Sequence, residues 1–264
     1  MPSGGFPQAN HPIVIPSIRK GAQHEGDRRD CRTPGAAGTN PYTAGLMVDA
    51  RKELRRGVVV VGAGGHARVC VELLQSSGAD VAYCISSDPV TECAGVPVLE
   101  GDEWLNRLRQ SGCVEAFVAI GDNATRAWLS EQVLDVGYQL VSAISPAATI
   151  SSSAAVGPGV AIMAGSVVNA EATIARGVIV NTGATVDHNC RIGEFVHLAP
   201  GCHLAGTVTV GDRSCLGVGV SVIPDMNIGD DATIGAGAVV VKDIPSQVIA
   251  VGVPARVLSR TVGK

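Results

Sequence analysis

The sequence predicts a small α/β domain built on a parallel sheet, followed by an all-β domain in the form of a parallel β-helix. Three observations predict it. Between residues 57 and 146 short apolar runs alternate with stretches of helical period, and strands that alternate with helices build a parallel sheet. From residue 150 an apolar residue recurs at every sixth position without a break: Ile150, Val156, Ile162, Val168, Ile174, Val180, Val186, Ile192, Leu198, Leu204, Val210, Leu216, Val222, Ile228, Ile234 and Val240. The composition agrees. Only 3% of the 264 residues are aromatic while 46% are hydrophobic, so the core has to be laid down in regular layers of small and β-branched side chains.

Residues 1–56 are rich in Gly, Pro, Asn and Arg, lack apolar periodicity, and read as a flexible N-terminal arm without function. Met47 lies just ahead of the first strong strand and reads as an alternative start of translation, with the arm as an extension. The basic cluster "RKELRR" (51–56) reads as a solvated lead-in, not as a nucleic-acid or membrane contact. "GVVVVGAG" (57–64) is then a strand ending in glycines, "HARVCVELLQSSG" (66–78) a helix and "DVAYCIS" (80–86) a strand. A helix at "EGDEWLNRLRQSG" (100–112), a strand at "VEAFVAIG" (114–121), a helix at "NATRAWLSEQVLDVG" (123–137) and a strand at "YQLVSAIS" (138–145) complete the α/β domain, expected over 57–146.

The remaining residues, 147–264, carry the repeat. A fixed period of six marks a parallel β-helix, in which each hexad makes one short strand and one turn and the periodic residue points inward. The fourth position after each apolar residue is also small or apolar, Cys190 and Cys202 among them. Those two cysteines therefore read as interior packing residues and not as nucleophiles.

Charge and cysteine usage narrow the function. Residues 57–264 carry eleven Lys/Arg against nineteen Asp/Glu, which removes the electrostatic case for nucleic acid. Eight cysteines form no CxxC pair, and neither a signal peptide nor a long apolar span is present. The expected protein is cytoplasmic, reduced and not inserted in a membrane.

Residues 150–240, with the closing "VIAVGVPARVLSR" (248–260), resemble the left-handed β-helix of the hexapeptide-repeat acyltransferases. Left-handedness comes from the resemblance, because general chain chirality favours right-handed crossovers. Taken with the preceding "VVVVGAGGHARV" (58–69), residues 57–258 resemble one branch of that superfamily. It holds sialic acid O-acetyltransferase and the N-acetyltransferases of nucleotide-linked 4-amino-4,6-dideoxy sugars. The resemblance implies acetyl-CoA as co-substrate, a nucleotide-linked amino sugar as acceptor, no metal, and a homotrimer with the cofactor in the groove between adjacent β-helices.

His188, His197 and His203 stand within sixteen residues of a chain that has six histidines. His188 sits two after its apolar residue, whereas His197 and His203 sit five after theirs, on different faces of the coil. A metal site would need ligands from neighbouring subunits. The other reading is a single general base, since a neutral imidazole titrates near working pH. The resemblance favours His188, in "His188-Asn189-Cys190-Arg191-Ile192-Gly193", where the family carries His-acid-Cys-x-Ile-Gly. This chain departs from that pattern at Asn189. Either Asn189 only orients the ring, or Asp187 takes over the role of the acid, or activity is reduced. The resemblance also implies that His197, Val218, Gly235 and Ala236 contact acetyl-CoA. His203 reads as a bystander.

"GAGGHA" (62–67) follows a strand, opens a helix and satisfies the dinucleotide pattern G-x-G-x-x-A. Glycines let a phosphate approach, and a helix N-terminus offers free N–H groups. A full dinucleotide fold has about twice the strands expected here, so the domain reads as Rossmann-like without NAD. By resemblance, Gly64, Gly65, His66, Gly121 and Asn123 hold the nucleotide-sugar acceptor; the alternative is a purely structural turn.

The expected reaction is direct acetyl transfer to a sugar 4-amino group, with His188 removing the proton and backbone N–H groups facing the oxyanion. No acyl-enzyme is required. O-acetylation of sialic acid or another sugar hydroxyl would need much the same site. A third reading is a non-catalytic nucleotide-sugar-binding trimer in which Asn189 marks a decayed centre.

Overall fold

The computed structural model describes residues 54–260. Apart from residues 54–56, the expected arm lies outside the described residues, as do Met47 and residues 261–264.

The apolar run at the start of the described chain forms β1 (Val58–Val61), inside a six-stranded sheet. It pairs in parallel with β2 (Val81–Ser86) on one side and β5 (Glu115–Val118) on the other. Side chains alternate along a strand, so Val58 and Val60 pack toward α1 (Gly65–Ser76), while Val59 and Val61 pack toward α2 (Glu103–Gln110) and α3 (Asn123–Asp135). Cover on both faces explains why the strand reads as unbroken valine and not as an alternation. Helix α1 buries Ala67, Cys70, Val71 and Leu74, the spacing of a single helical face. That face also meets Ala143, Ala161 and Ile179 of the β-helix.

Two segments differ from expectation. Residues 87–99 carried no predicted strand, yet β3 (Glu92–Cys93) and β4 (Val96–Glu100) form there, and β4 pairs in parallel with β2. Pro97 inside "VPVLE" breaks the apolar signal, and tertiary pairing overrides it. "YQLVSAIS" is not one strand. Gln139–Leu140, here β6, closes the parallel sheet beside β5, whereas Ala143–Ile144 pairs with Ala161–Ile162 and opens the β-helix. The order across the first sheet is β3-β4-β2-β1-β5-β6.

From Ala143 each hexad yields a strand of two residues, and three stacked parallel sheets result. Partners lie one full coil apart: Ile179–Val180 pairs with His197–Leu198, Thr185–Val186 with His203–Leu204, and Arg191–Ile192 with Thr209–Val210. The periodic residues from Ile162 to Val240 are all buried and stack in one core with the small residues of the fourth positions. Burial of each such side chain contributes roughly 1.5–3 kcal/mol. Ile150 and Val156, on the first coil, are only partly covered. The chain closes with Val248–Val251, which pairs in parallel with Thr233–Ile234 and antiparallel with Arg256–Arg260. The α/β domain and the left-handed β-helix are therefore both present, the second built on the period read from the sequence.

The two parts are pinned by Arg126 of α3, which is 1% exposed. Its guanidinium donates to the carbonyls of Ile120 and Gly121 in the α/β domain and to those of Gly177 and Phe195 in the β-helix, at 2.7–3.1 Å. Five donors in a planar fork suit such a convergence of carbonyls. Burial draws its pKa down to about 10, opposed by Asp122, so the side chain stays a cation.

Candidate active site

His188 lies in the turn that joins Thr185–Val186 to Arg191–Ile192. Asp187 accepts the backbone N–H of His188 at 2.7 Å and the Asn169 amide at 2.9 Å through the same oxygen. These bonds, the His188 N–H first, hold its carboxyl below the ordinary range. Asn189 follows with φ +58°, a conformation that Asn tolerates better than most residues. The ring hydrogen bond is to this amide, Nδ1 to Asn189 Oδ1 at 3.0 Å, and Asn189 Nδ2 donates to Glu171 Oε2 at 2.8 Å. Glu171 belongs to the preceding coil, eighteen residues earlier. On the following coil the ring lies against Gly206, where an added Cβ would stand 2.5 Å from Cε1 and Nε2. The arrangement ties up Nδ1, while Nε2, on an exposed turn, lies beside Gly206 and makes no hydrogen bond among the described residues.

A second concavity lies in the α/β domain. A cavity of about 170 Å³ is lined by Gly62, Gly64, Gly65, His66, Asp88 and Gly121, among others. Gly62 has φ +118° and passes so close to the Ala119 carbonyl that a Cβ would reach 2.8 Å. Gly64 and Gly65 face open space, and Gly64 caps α1 without a side-chain hydrogen bond. The N–H groups at this end of α1 are thus available to an anion. Burial, then the nearby Arg126 charge, lowers the His66 pKa to about 4, so a neutral imidazole borders the cavity. Asn123 is turned away from it. Its amide donates to the carbonyls of Arg213 and Ser214 at 2.9 and 3.1 Å, and its oxygen accepts from Arg126. The expected acceptor contact is in this structure a tie between α3 and the β-helix.

A family model for the PglD N-terminal domain matches residues 57–133. PerB from Caulobacter crescentus, solved with CoA and GDP-perosamine, is 49% identical, with 76% of this chain and 96% of that chain covered at a TM-score of 0.74. The chain belongs to the hexapeptide-repeat sugar N-acetyltransferases. The acetyltransferase domain of PglB from Neisseria gonorrhoeae, solved with acetyl coenzyme A, is 38% identical, covering 76% of this chain and 98% of that one at a TM-score of 0.72. UDP-N-acetylbacillosamine N-acetyltransferase of Bacillus subtilis is 35% identical over 119 residues, 41% of this chain and 52% of that protein's length.

In this N-acetyltransferase the histidines separate as the hexad register requires. His188 is in a turn, His197 in the sheet that begins with Ala143–Ile144, and His203 in the sheet that begins with Thr149–Ile150. Among the described residues no group of three or more His, Cys, Asp or Glu is arranged to hold a metal. His203 Nδ1 meets Thr185 Oγ1 at 2.9 Å on an exposed face. His197 is half-buried against Gly121, and Asn181 Nδ2 lies 3.1 Å from its Nε2. Burial first, then Arg126 and His66, lower its pKa to about 4. Val218 and Ala236 occupy the same exposed corner on successive coils, where Gly237 N–H donates to the Val218 carbonyl. Gly235 precedes Ala236, and its missing Cβ accommodates Val251. This corner joins the first and second sheets, whereas His188 sits between the second and third.

Sequence reasoning missed Glu171, Gly206, Asn181 and Arg126. The first two carry a signal in the register: residue 171 stands eighteen before Asn189, and Gly206 stands eighteen after His188. Asn181 also lies one coil before its partner, His197, in the same register, whereas Arg126 carries no signal, since it reaches the β-helix carbonyls of Gly177 and Phe195 from another domain.

Proposed function

We propose that the protein is an acetyl-CoA-dependent N-acetyltransferase acting on the 4-amino group of a nucleotide-linked deoxyamino sugar, with His188 as general base. One observation carries the reading. Nδ1 of His188 is engaged by the Asn189 oxygen at 3.0 Å, so the ring proton resides there and Nε2 presents a lone pair.

The domain at 57–146 binds the acceptor. The uncapped N-terminus of α1, at Gly64 and Gly65, takes a phosphate, while His66 and Gly121 line the cavity beside it. A neutral His66 offers a hydrogen bond without charge. Asn123 serves by fixing α3 against the β-helix. The domain at 147–264 holds the donor: the small side chain of Ala236, following Gly235 and next to a Val218 that is 57% exposed, leaves room for a pantetheine arm at the coil corner, and His197 belongs to the same β-helix. Acetyl-CoA supplies the activated thioester. His188 Nε2 accepts the proton that the amine loses as its nitrogen bonds to the acetyl carbon. The carbon–sulfur bond then breaks, and the proton passes to the departing thiolate, so no acyl-enzyme forms.

The proposed assembly is a cytoplasmic homotrimer. His188 and the Val218–Ala236 column lie on different corners of one β-helix, which a neighbouring β-helix can bring together. Val253 (73% exposed) and Leu258 (70%) leave apolar surface at the closing hairpin, as an interface does.

The test incubates purified protein with acetyl-CoA and UDP-, GDP- or dTDP-linked 4-amino sugars, beside free sialic acid, and follows thiol release. Turnover is expected with an amino sugar and should fall about 10²–10⁴-fold in His188→Ala. Undiminished turnover in that variant refutes the base. Preferred turnover of sialic acid would shift the reading to O-acetylation, and sugar binding without turnover would leave only a binding trimer.

A further inference from the structure

We infer that Glu171 is the positioning residue of this centre, setting through Asn189 which nitrogen of His188 carries the proton. The inference rests on His188 being the base. An amide is an ambiguous neighbour for an imidazole. It can present its oxygen, which holds a proton on Nδ1, or its NH2 group, which drives the proton to Nε2 and abolishes the base. Nothing within Asn189 itself decides between the two.

The coil below decides. Asn189 Nδ2 lies 2.8 Å from Glu171 Oε2, and an ionised carboxylate only accepts. The NH2 group must therefore face Glu171, which turns the oxygen to His188 Nδ1 at 3.0 Å. Glu171 is anchored for this role, with its backbone N–H on Ser153 Oγ at 3.2 Å and the same left-handed turn conformation as Asn189, φ +58° for both. The other carboxylates of this corner make no bond to the ring in this structure. Asp187 bonds the His188 backbone and Asn169, and Asp225, farther along the same corner, accepts from Thr207 Oγ1. A carboxylate one coil earlier thus acts on the ring, with an amide as the link.

The experiment uses Glu171→Ala, Glu171→Gln, Asn189→Asp and the double variant Glu171→Ala with Asn189→Asp, in the full-length protein. With the 4-amino sugar that the wild type turns over, Glu171→Ala should lower kcat about tenfold, a fraction of what a positioned base contributes, and leave both KM values within about twofold. Glu171→Gln should fall between. Asn189→Asp places an acceptor directly on Nδ1, so the double variant should regain most of the lost kcat, which a merely structural role for Glu171 would not allow. Independently of any substrate, 15N NMR of the imidazole should show His188 moving toward the Nε2–H tautomer in Glu171→Ala. Wild-type kcat and tautomer in that variant, or no recovery in the double variant, overturn the proposal. If His188→Ala keeps its turnover, the base assignment fails instead, and the tautomer measurement alone then decides whether Glu171 orients the ring.

Discussion

At the scale of single residues, the centre depends on positions with little chemistry of their own. Gly206 is the example. The imidazole of His188 occupies the space its Cβ would fill, 2.5 Å from Cε1 and Nε2. Gly206→Ala should therefore push the ring off its bond to Asn189 while the coil, whose core side chains are untouched, stays folded. The expected outcome is a loss of kcat of about tenfold or more, by displacement of a positioned base, with a Tm within a few degrees of the wild type. An unchanged kcat would show that the ring does not need that space. The same scale limits what the sequence could tell about Asn189. Its departure from the family pattern was visible, and three consequences stood open. Of these, the geometry favours an orienting amide, because the hydrogen bond of the ring goes to Asn189, while Asp187 bonds the His188 backbone and Asn169.

At the scale of elements, the junction between α1, α3 and the first sheet of the β-helix gathers His66, His197 and the buried Arg126 cation. Both histidines are drawn from 6.5 to about 4, with burial as the leading cause and Arg126 next. The unfolded chain therefore binds more protons than the folded one between these values. Stability from this source is complete above about pH 6.5 and is lost as pH falls toward 4. Thermal unfolding between pH 7 and pH 4 should show that decline in Tm, and His197→Gln should make it shallower. A Tm independent of pH in this window would contradict neutral, half-buried histidines. The junction was poorly legible in the sequence. Arg126 sits on a helix of ordinary pattern, and only the fold brings the carbonyls of Gly177 and Phe195 to it. "YQLVSAIS" was misread for a related reason: its apolar residues serve two different sheets.

At the scale of the whole molecule, the separation of His188 from the Val218–Ala236 corner makes the proposed centre composite. Two inactive variants, His188→Ala and Val218→Arg, should then complement one another when co-expressed. In randomly mixed trimers about a quarter of the sites would combine an intact base from one subunit with an intact cofactor corner from another. Activity that stays at the level of the parent variants would place the whole site within one subunit. What the sequence by itself determined is the architecture of the β-helix and the separation of its histidines, because a period of six fixes which side chains point inward and which corner each turn residue occupies. The valine run and the glycine turn fixed the start of the α/β domain in the same local way. Only the tertiary structure decided the partners of His188, the seat of Arg126 and the turning of Asn123 away from the cavity. The last two depend on groups 51 to 91 residues apart that meet through the docking of two domains, and a local pattern records no contact of that range; for His188 the register marks the neighbours one coil away, and the structure alone shows which of them bond.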